Sequence, residues 1–200
     1  MEHYFIGLSI SPGAGVESGV AVIDKNNEII QVDKLFSIQD IQHFFDNFSS
    51  LNDSQICVSL PWENTMINGK WRIQSKPYQL VMSNENLKNT DNWTQRYSNR
   101  GSEYFNGLIE KGAKINRFEL YLTRQSLGLD TCYKERSPAD CKALQNALKI
   151  KYGYDNIPSN MMPMSQLEAV VGAVLAKKYS DQKQDMPELF EFNGVKVIRG

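Results

Sequence analysis

The chain has 200 residues, 41% of them apolar and 22% charged, with a formal net charge of −1. That is one ordinary domain, long enough to bury a full core. It has no run of about eighteen apolar residues, so no membrane span is expected, and the near-zero net charge gives no global footprint for nucleic acid, which leaves only a local basic patch open.

The three cysteines, Cys57, Cys132 and Cys141, are odd in number and no two lie two residues apart. This argues against a disulfide framework or zinc site and for a reducing, cytoplasmic setting. Met1-Glu2-His3 leads directly into an apolar run, without the basic region and apolar stretch of a signal peptide. His3-Ile10 reads as a strand, followed by the turn Ser11-Pro12-Gly13-Ala14-Gly15. Ser18-Asp24 and Glu28-Leu35 then read as two more strands joined by Lys25-Asn26-Asn27. Val- and Ile-rich runs bounded by Gly and Asn are what a β-meander needs. Gly13 and Gly15 make no P-loop, because no Gly-Lys-Ser/Thr follows.

Ser37-Ile38-Gln39-Asp40 opens a helix with a serine cap and an acid three residues on, and Ile38, Ile41, Phe45 and Phe48 fall on one face of it to about residue 48. Gln55-Leu60 is a short apolar run ending at Pro61, read as a buried strand. The stretch 62–101 is polar and irregular, with Trp62, Trp71 and Trp93 and the basic residues Lys70, Arg72, Lys76, Arg96 and Arg100. Forty such residues inside one domain indicate a functional insertion or lid. Residues 102–111 read as a helix stopped by Gly112. Ile115-Leu122 is the next expected strand, and Thr123-Leu129 a short helical turn. Ser137-Pro138-Ala139-Asp140 starts a helix that runs to about Lys151 and stops near Gly153. The last strong helix spans 165–178, with Leu167, Val170, Val171, Val174 and Leu175 on one face. The tail 190–198 forms a small hairpin around Asn193-Gly194. The order gives an α/β layer with one mixed sheet. The first three strands are antiparallel, and helices cover the sheet.

Four segments resemble a family of predicted ribonuclease H-like nucleases, related in fold to the RuvC resolvases. They are Ile6-Gly7-Leu8-Ser9 with Ser18-Gly19-Val20-Ala21-Val22; Cys57-Val58-Ser59-Leu60-Pro61; Phe118-Glu119-Leu120-Tyr121-Leu122 with Ser126-Leu127-Gly128-Leu129 and Tyr133-Lys134; and Ser165-Gln166-Leu167-Glu168-Ala169-Val170. The resemblance implies a single ribonuclease H-like domain over 1–200, with the first and fourth strands neighbours in the sheet. Its chemistry would be two-metal phosphodiester hydrolysis, with carboxylates of the first strand, a central strand and the last helix holding Mg²⁺ or Mn²⁺. At the matching positions this chain carries Ser9 (or Ser11, if the alignment slips), Ser59 and Glu168, and only Glu119 keeps an acid in place. A serine cannot replace a metal-bridging carboxylate, so weak or absent binding is expected, with Glu119 and Glu168 the nearest acids and Glu63 a replacement ligand.

Each candidate has a second reading. Glu168 fits a capping box with Ser165. Glu119 alternates with Phe118 and Leu120 and could face solvent or pair with Lys114 or Arg117. Glu63 could be a solvated turn acid, and Ser9 and Ser59 could satisfy strand-end backbone groups. Trp71 with Arg72, and Trp93 with Arg96, are the aromatic-plus-basic pairs that stack single-stranded bases, or else they pack a lid on the core. His3 and His43 have no partner motif. Three functions therefore stand at this point: a nuclease-like protein with an altered metal site, a non-catalytic binding or scaffold protein for nucleic acid or protein, and a fragment of an actin/sugar-kinase-like ATPase. The last normally has an acid and a Gly-rich phosphate loop in its meander, and two lobes longer than this chain.

Overall fold

The computed structural model describes residues 3–11, 16–48, 51–59, 110, 112–118, 120–181, 188–192 and 195–198. Three strands open it: β1 (Tyr4–Ser9), β2 (Ser18–Asp24) and β3 (Ile29–Leu35). They pair antiparallel in chain order, β1 with β2 and β2 with β3. The turn between β2 and β3 is closed by Asp24, whose Oδ1 accepts from the backbone N–H of Asn26 at 2.9 Å and of Glu28 at 2.8 Å. Helix α1 (Ile38–Asp46) begins at Ser37 with the expected capping box to Asp40. A 3-10 turn at Leu51–Asp53, which the sequence pattern did not suggest, leads into β4 (Gln55–Ser59). The chain continues through β5 (Lys114–Phe118), α2 (Leu120–Ser126), α3 (Pro138–Tyr152), α4 (Met164–Asp181), β6 (Glu188–Phe192) and β7 (Val195–Ile198).

The strands form one mixed sheet in the order β3-β2-β1-β4-β5-β7-β6. β1, β4, β5 and β7 run parallel to one another, and the tail hairpin extends the sheet as β6 antiparallel to β7. The period-2 alternation of the strands sends their side chains to two separate cores. Ile6, Leu8, Ile10, Val20, Val22, Ile56 and Val58 meet Ile41 and Phe45 of α1 on one face. Phe5, Ala21, Ile23, Cys57 and Phe118 meet α4 on the other, with α2 and α3 completing that layer. No helix among the described residues is long and apolar enough to cross a membrane.

One segment changes type relative to the sequence reading, and one helix is buried on more than one face. The strand expected over 115–122 ends at Phe118, and a helix starts at Leu120. Leu120, Thr123, Arg124 and Leu127 are all buried, and their three-and-four spacing is helical. That period outweighs the brief alternation at Phe118-Glu119-Leu120 that imitated a strand. The last helix, expected to carry one apolar face, is buried at thirteen of its eighteen positions, because the sheet and the neighbouring helices enclose it. The expected helix over 102–111 lies outside the described residues except for Glu110, which is helical.

α4 lies unusually close to the sheet, and glycine makes this possible. A Cβ on Gly7 would sit 1.8 Å from the carbonyl oxygen of Ala169, and one on Gly19 would sit 2.0 Å from that of Ser165. From the helix side, a Cβ on Gly172 would be 3.1 Å from Cα of Gly7. Backbone therefore rests on backbone, which fixes the height and rotation of α4 over β1 and β2.

Candidate functional site

Ser9 and Ser59 end two adjacent parallel strands and are register partners, so their side chains share one face at the carboxyl edge of the sheet. That face is the one α4 covers. The glycine contacts set Glu168, in the second turn of α4, directly over Ser9. The Ser9 hydroxyl donates to Glu168 Oε2 at 2.6 Å, and the Arg136 guanidinium donates to Oε1. Glu168 is 2% exposed. Ser59 is also buried, and its hydroxyl has no hydrogen-bond partner among the described residues.

Arg136 reaches this point from the loop that precedes α3. Its backbone is left-handed, with φ of 60°, a conformation that costs an L-residue about 1–2 kcal/mol. Its N–H is tied to Asp140 Oδ2 at 2.9 Å. Asp140, in the first turn of α3, is itself a buried hub. It accepts two bonds from the Arg124 guanidinium, at 2.7 and 3.2 Å, and one from the Thr131 hydroxyl at 2.5 Å. Burial alone would raise its carboxyl, but the bonds from Arg124, Thr131 and the Arg136 N–H outweigh burial and hold it below the ordinary carboxylate range. Arg124 also donates to the Leu129 carbonyl at 3.3 Å. One buried ion pair thus ties α2, the loop and α3 together and presents Arg136 to Glu168.

The alternative placements sort themselves by hydrogen bonds. Ser9, not Ser11, reaches the acid of α4; Ser11 bonds instead to Ser18, by its N–H at 3.0 Å and between the two hydroxyls at 3.1 Å. The capping box expected between Ser165 and Glu168 does not form. The Ser165 hydroxyl donates to Glu17 at 2.8 Å, Glu17 in turn pairs with Lys34 at 3.0 Å, and the Glu168 carboxylate is taken by Ser9 and Arg136. The helix begins one residue earlier than expected, at Met164, which puts Ser165 inside the first turn rather than at the cap. The Ser9 hydroxyl serves a side chain rather than a strand-end backbone group. Cys141, next to Asp140, is no candidate nucleophile, because burial and the Asp140 charge both raise its thiol.

Glu119, Glu63, Trp71, Arg72, Trp93 and Arg96 lie outside the described residues. Reading the sequence for function missed Arg136 and the role of Asp140. Asp140 was legible only as a first-turn acid, and Arg136 carries no signal that ties it to an acid thirty-two positions further on. Among the described residues, the donors around Glu168 suit a divalent ion poorly. Mg²⁺ and Mn²⁺ want several anionic oxygens, whereas Ser9 and Ser59 offer neutral hydroxyls and both oxygens of Glu168 are already bonded. Among the described residues, no three His, Cys, Asp or Glu side chains are grouped so as to hold a metal.

No protein-family model matches this chain, and no curated protein matches it in sequence.

Proposed function

We propose that this chain is a ribonuclease H-like protein whose cleft works by binding rather than by metal-dependent hydrolysis. The fold half of this reading is supported by an antiparallel β1-β2-β3 meander whose first strand continues the sheet in parallel through β4 and β5. It is supported further by α4, which crosses β1 and carries an acid to the carboxyl edge. The observation that carries the functional half is Glu168. It is the one carboxylate placed at Ser9 and Ser59 among the described residues, and Ser9 and Arg136 together occupy both its oxygens. A carboxylate engaged in this way is a poor metal ligand, because each of its oxygens already accepts a hydrogen bond, one of them from a cation.

Nucleic acid is the first ligand to try, because the sequence resembles nucleases. Binding and cleavage should be measured separately on labelled single- and double-stranded DNA and RNA, with Mg²⁺ or Mn²⁺ present. The expected result is no cleavage above that of the Glu168→Gln variant. Mn²⁺-dependent cleavage by the unaltered chain that Glu168→Gln abolishes would overturn the proposal.

A further inference from the structure

A carboxylate with 2% exposure needs a positive charge or a proton beside it, since water cannot solvate it there. Among the described residues at this edge, Ser9 and Ser59 are neutral and Glu168 contributes one negative charge, which one positive charge balances. Arg136 supplies it.

We infer that Arg136 is the built-in cation of this cleft, a tethered guanidinium holding the charge-compensating place that a divalent ion has in the nucleases this chain resembles. The inference rests on the ribonuclease H-like reading and adds to it the residue that makes the cleft independent of metal. Three observations support it. A guanidinium stays protonated at any pH a protein survives, so it compensates Glu168 without exchanging with solvent ions. The pair is also unlike a surface ion pair: the Arg136 side chain is 41% exposed, but its partner is buried and receives a second bond from Ser9. Finally, Arg136 keeps a left-handed backbone that its residue type disfavours. It is held there by an N–H bond to Asp140, which is anchored by Arg124 and Thr131. The hub thus fixes the arginine where the carboxylate needs it.

The test is a double-mutant cycle on the full chain, with thermal melts of the wild type, Arg136→Met, Glu168→Gln and the double variant, each with and without Mn²⁺. Arg136→Met strands a buried charge and should lower Tm by roughly 6–12 °C. In the Glu168→Gln background the same change should lower Tm by less than about half of that, because the charge it compensates has gone. If Arg136→Met alone fails to fold, recovery of a folded chain on adding Glu168→Gln supports the inference equally. Equal losses in both backgrounds, or failure of both variants to fold, would overturn it by showing that Arg136 serves something other than Glu168. The Ser9→Asp plus Arg136→Met chain, which exchanges the arginine for a second carboxylate, should gain a Tm rise with Mn²⁺ that wild type lacks; no gain would also count against the inference. Wild type responding to Mn²⁺ with Arg136 in place would instead defeat the metal-free reading of the cleft, so the two failures are separable.

Discussion

Gly7→Ala places a methyl group where α4 already is. The new Cβ would lie 1.8 Å from the Ala169 oxygen and 2.3 Å from the Ala173 nitrogen, against ordinary contact distances of 3.4 Å and more. Both obstacles are helix backbone, so no rotamer change relieves the clash and α4 must back away by roughly 1.5 Å, a gap at which a dispersion contact has lost much of its well. Thirteen of its eighteen residues are buried, and most of them would lose contact together. Overpacking usually costs about 1–3 kcal/mol. With a whole helix displaced, about 4 kcal/mol is the better figure, and at this chain length it lowers Tm by roughly 8–16 °C. The Ser9–Glu168 bond, 2.6 Å in the structure, would open with it. Gly153→Ala is the matched control. Its φ is 71° but nothing lies within 4 Å of the added Cβ, so only the backbone penalty of about 1 kcal/mol applies. Calorimetric melts of the three proteins decide the matter. A Gly7→Ala protein that melts no lower than Gly153→Ala would refute the close approach of α4 to β1, and with it the placement of Glu168.

Asp140→Asn removes the charge that receives two bonds from the buried Arg124 guanidinium and should destabilise by about 3–5 kcal/mol in urea unfolding; less than 1 kcal/mol would mean that the hub does not anchor the loop. The same residue sets an acid limit. Because the folded-state carboxyl of Asp140 lies below its unfolded value of about 3.9, its stabilisation is complete above that pH and is lost as pH falls through the folded value. Wild type should lose stability below about pH 4 more steeply than Asp140→Asn, and parallel curves would contradict this. Ser59→Ala removes a buried hydroxyl that has no partner among the described residues and should be neutral or stabilising by up to about 1 kcal/mol. A loss above about 1 kcal/mol would show that the hydroxyl is bonded in the folded chain.

What could be read from the sequence was whatever is set locally. The Val- and Ile-rich runs bounded by Gly and Asn gave β1, β2 and β3, and the serine caps at Ser37 and Ser137 gave the starts of α1 and α3 within a residue. The pairing of β1 with β4 left no local pattern and was implied only by the ribonuclease H-like resemblance. Reading failed where one short stretch supports two periods, as at 118–127, where the helical spacing of buried residues won. It failed again at the site. Ser165 and Glu168 have capping-box spacing, but the spacing alone could not show that the close approach of Gly19 to Ser165, and of Gly7 to Ala169, turns that helix start onto the sheet. Arg136 was invisible for a different reason: its role depends on a tertiary contact and on an unusual backbone angle, neither of which leaves a pattern in neighbouring residues.

The most direct measurement is a calorimetric titration of Mn²⁺ into the full chain at neutral pH. If Arg136 and Ser9 already satisfy Glu168, the heats should match those of dilution, with no saturable site tighter than millimolar. Saturable micromolar binding that Glu168→Gln removes would contradict a metal-free cleft.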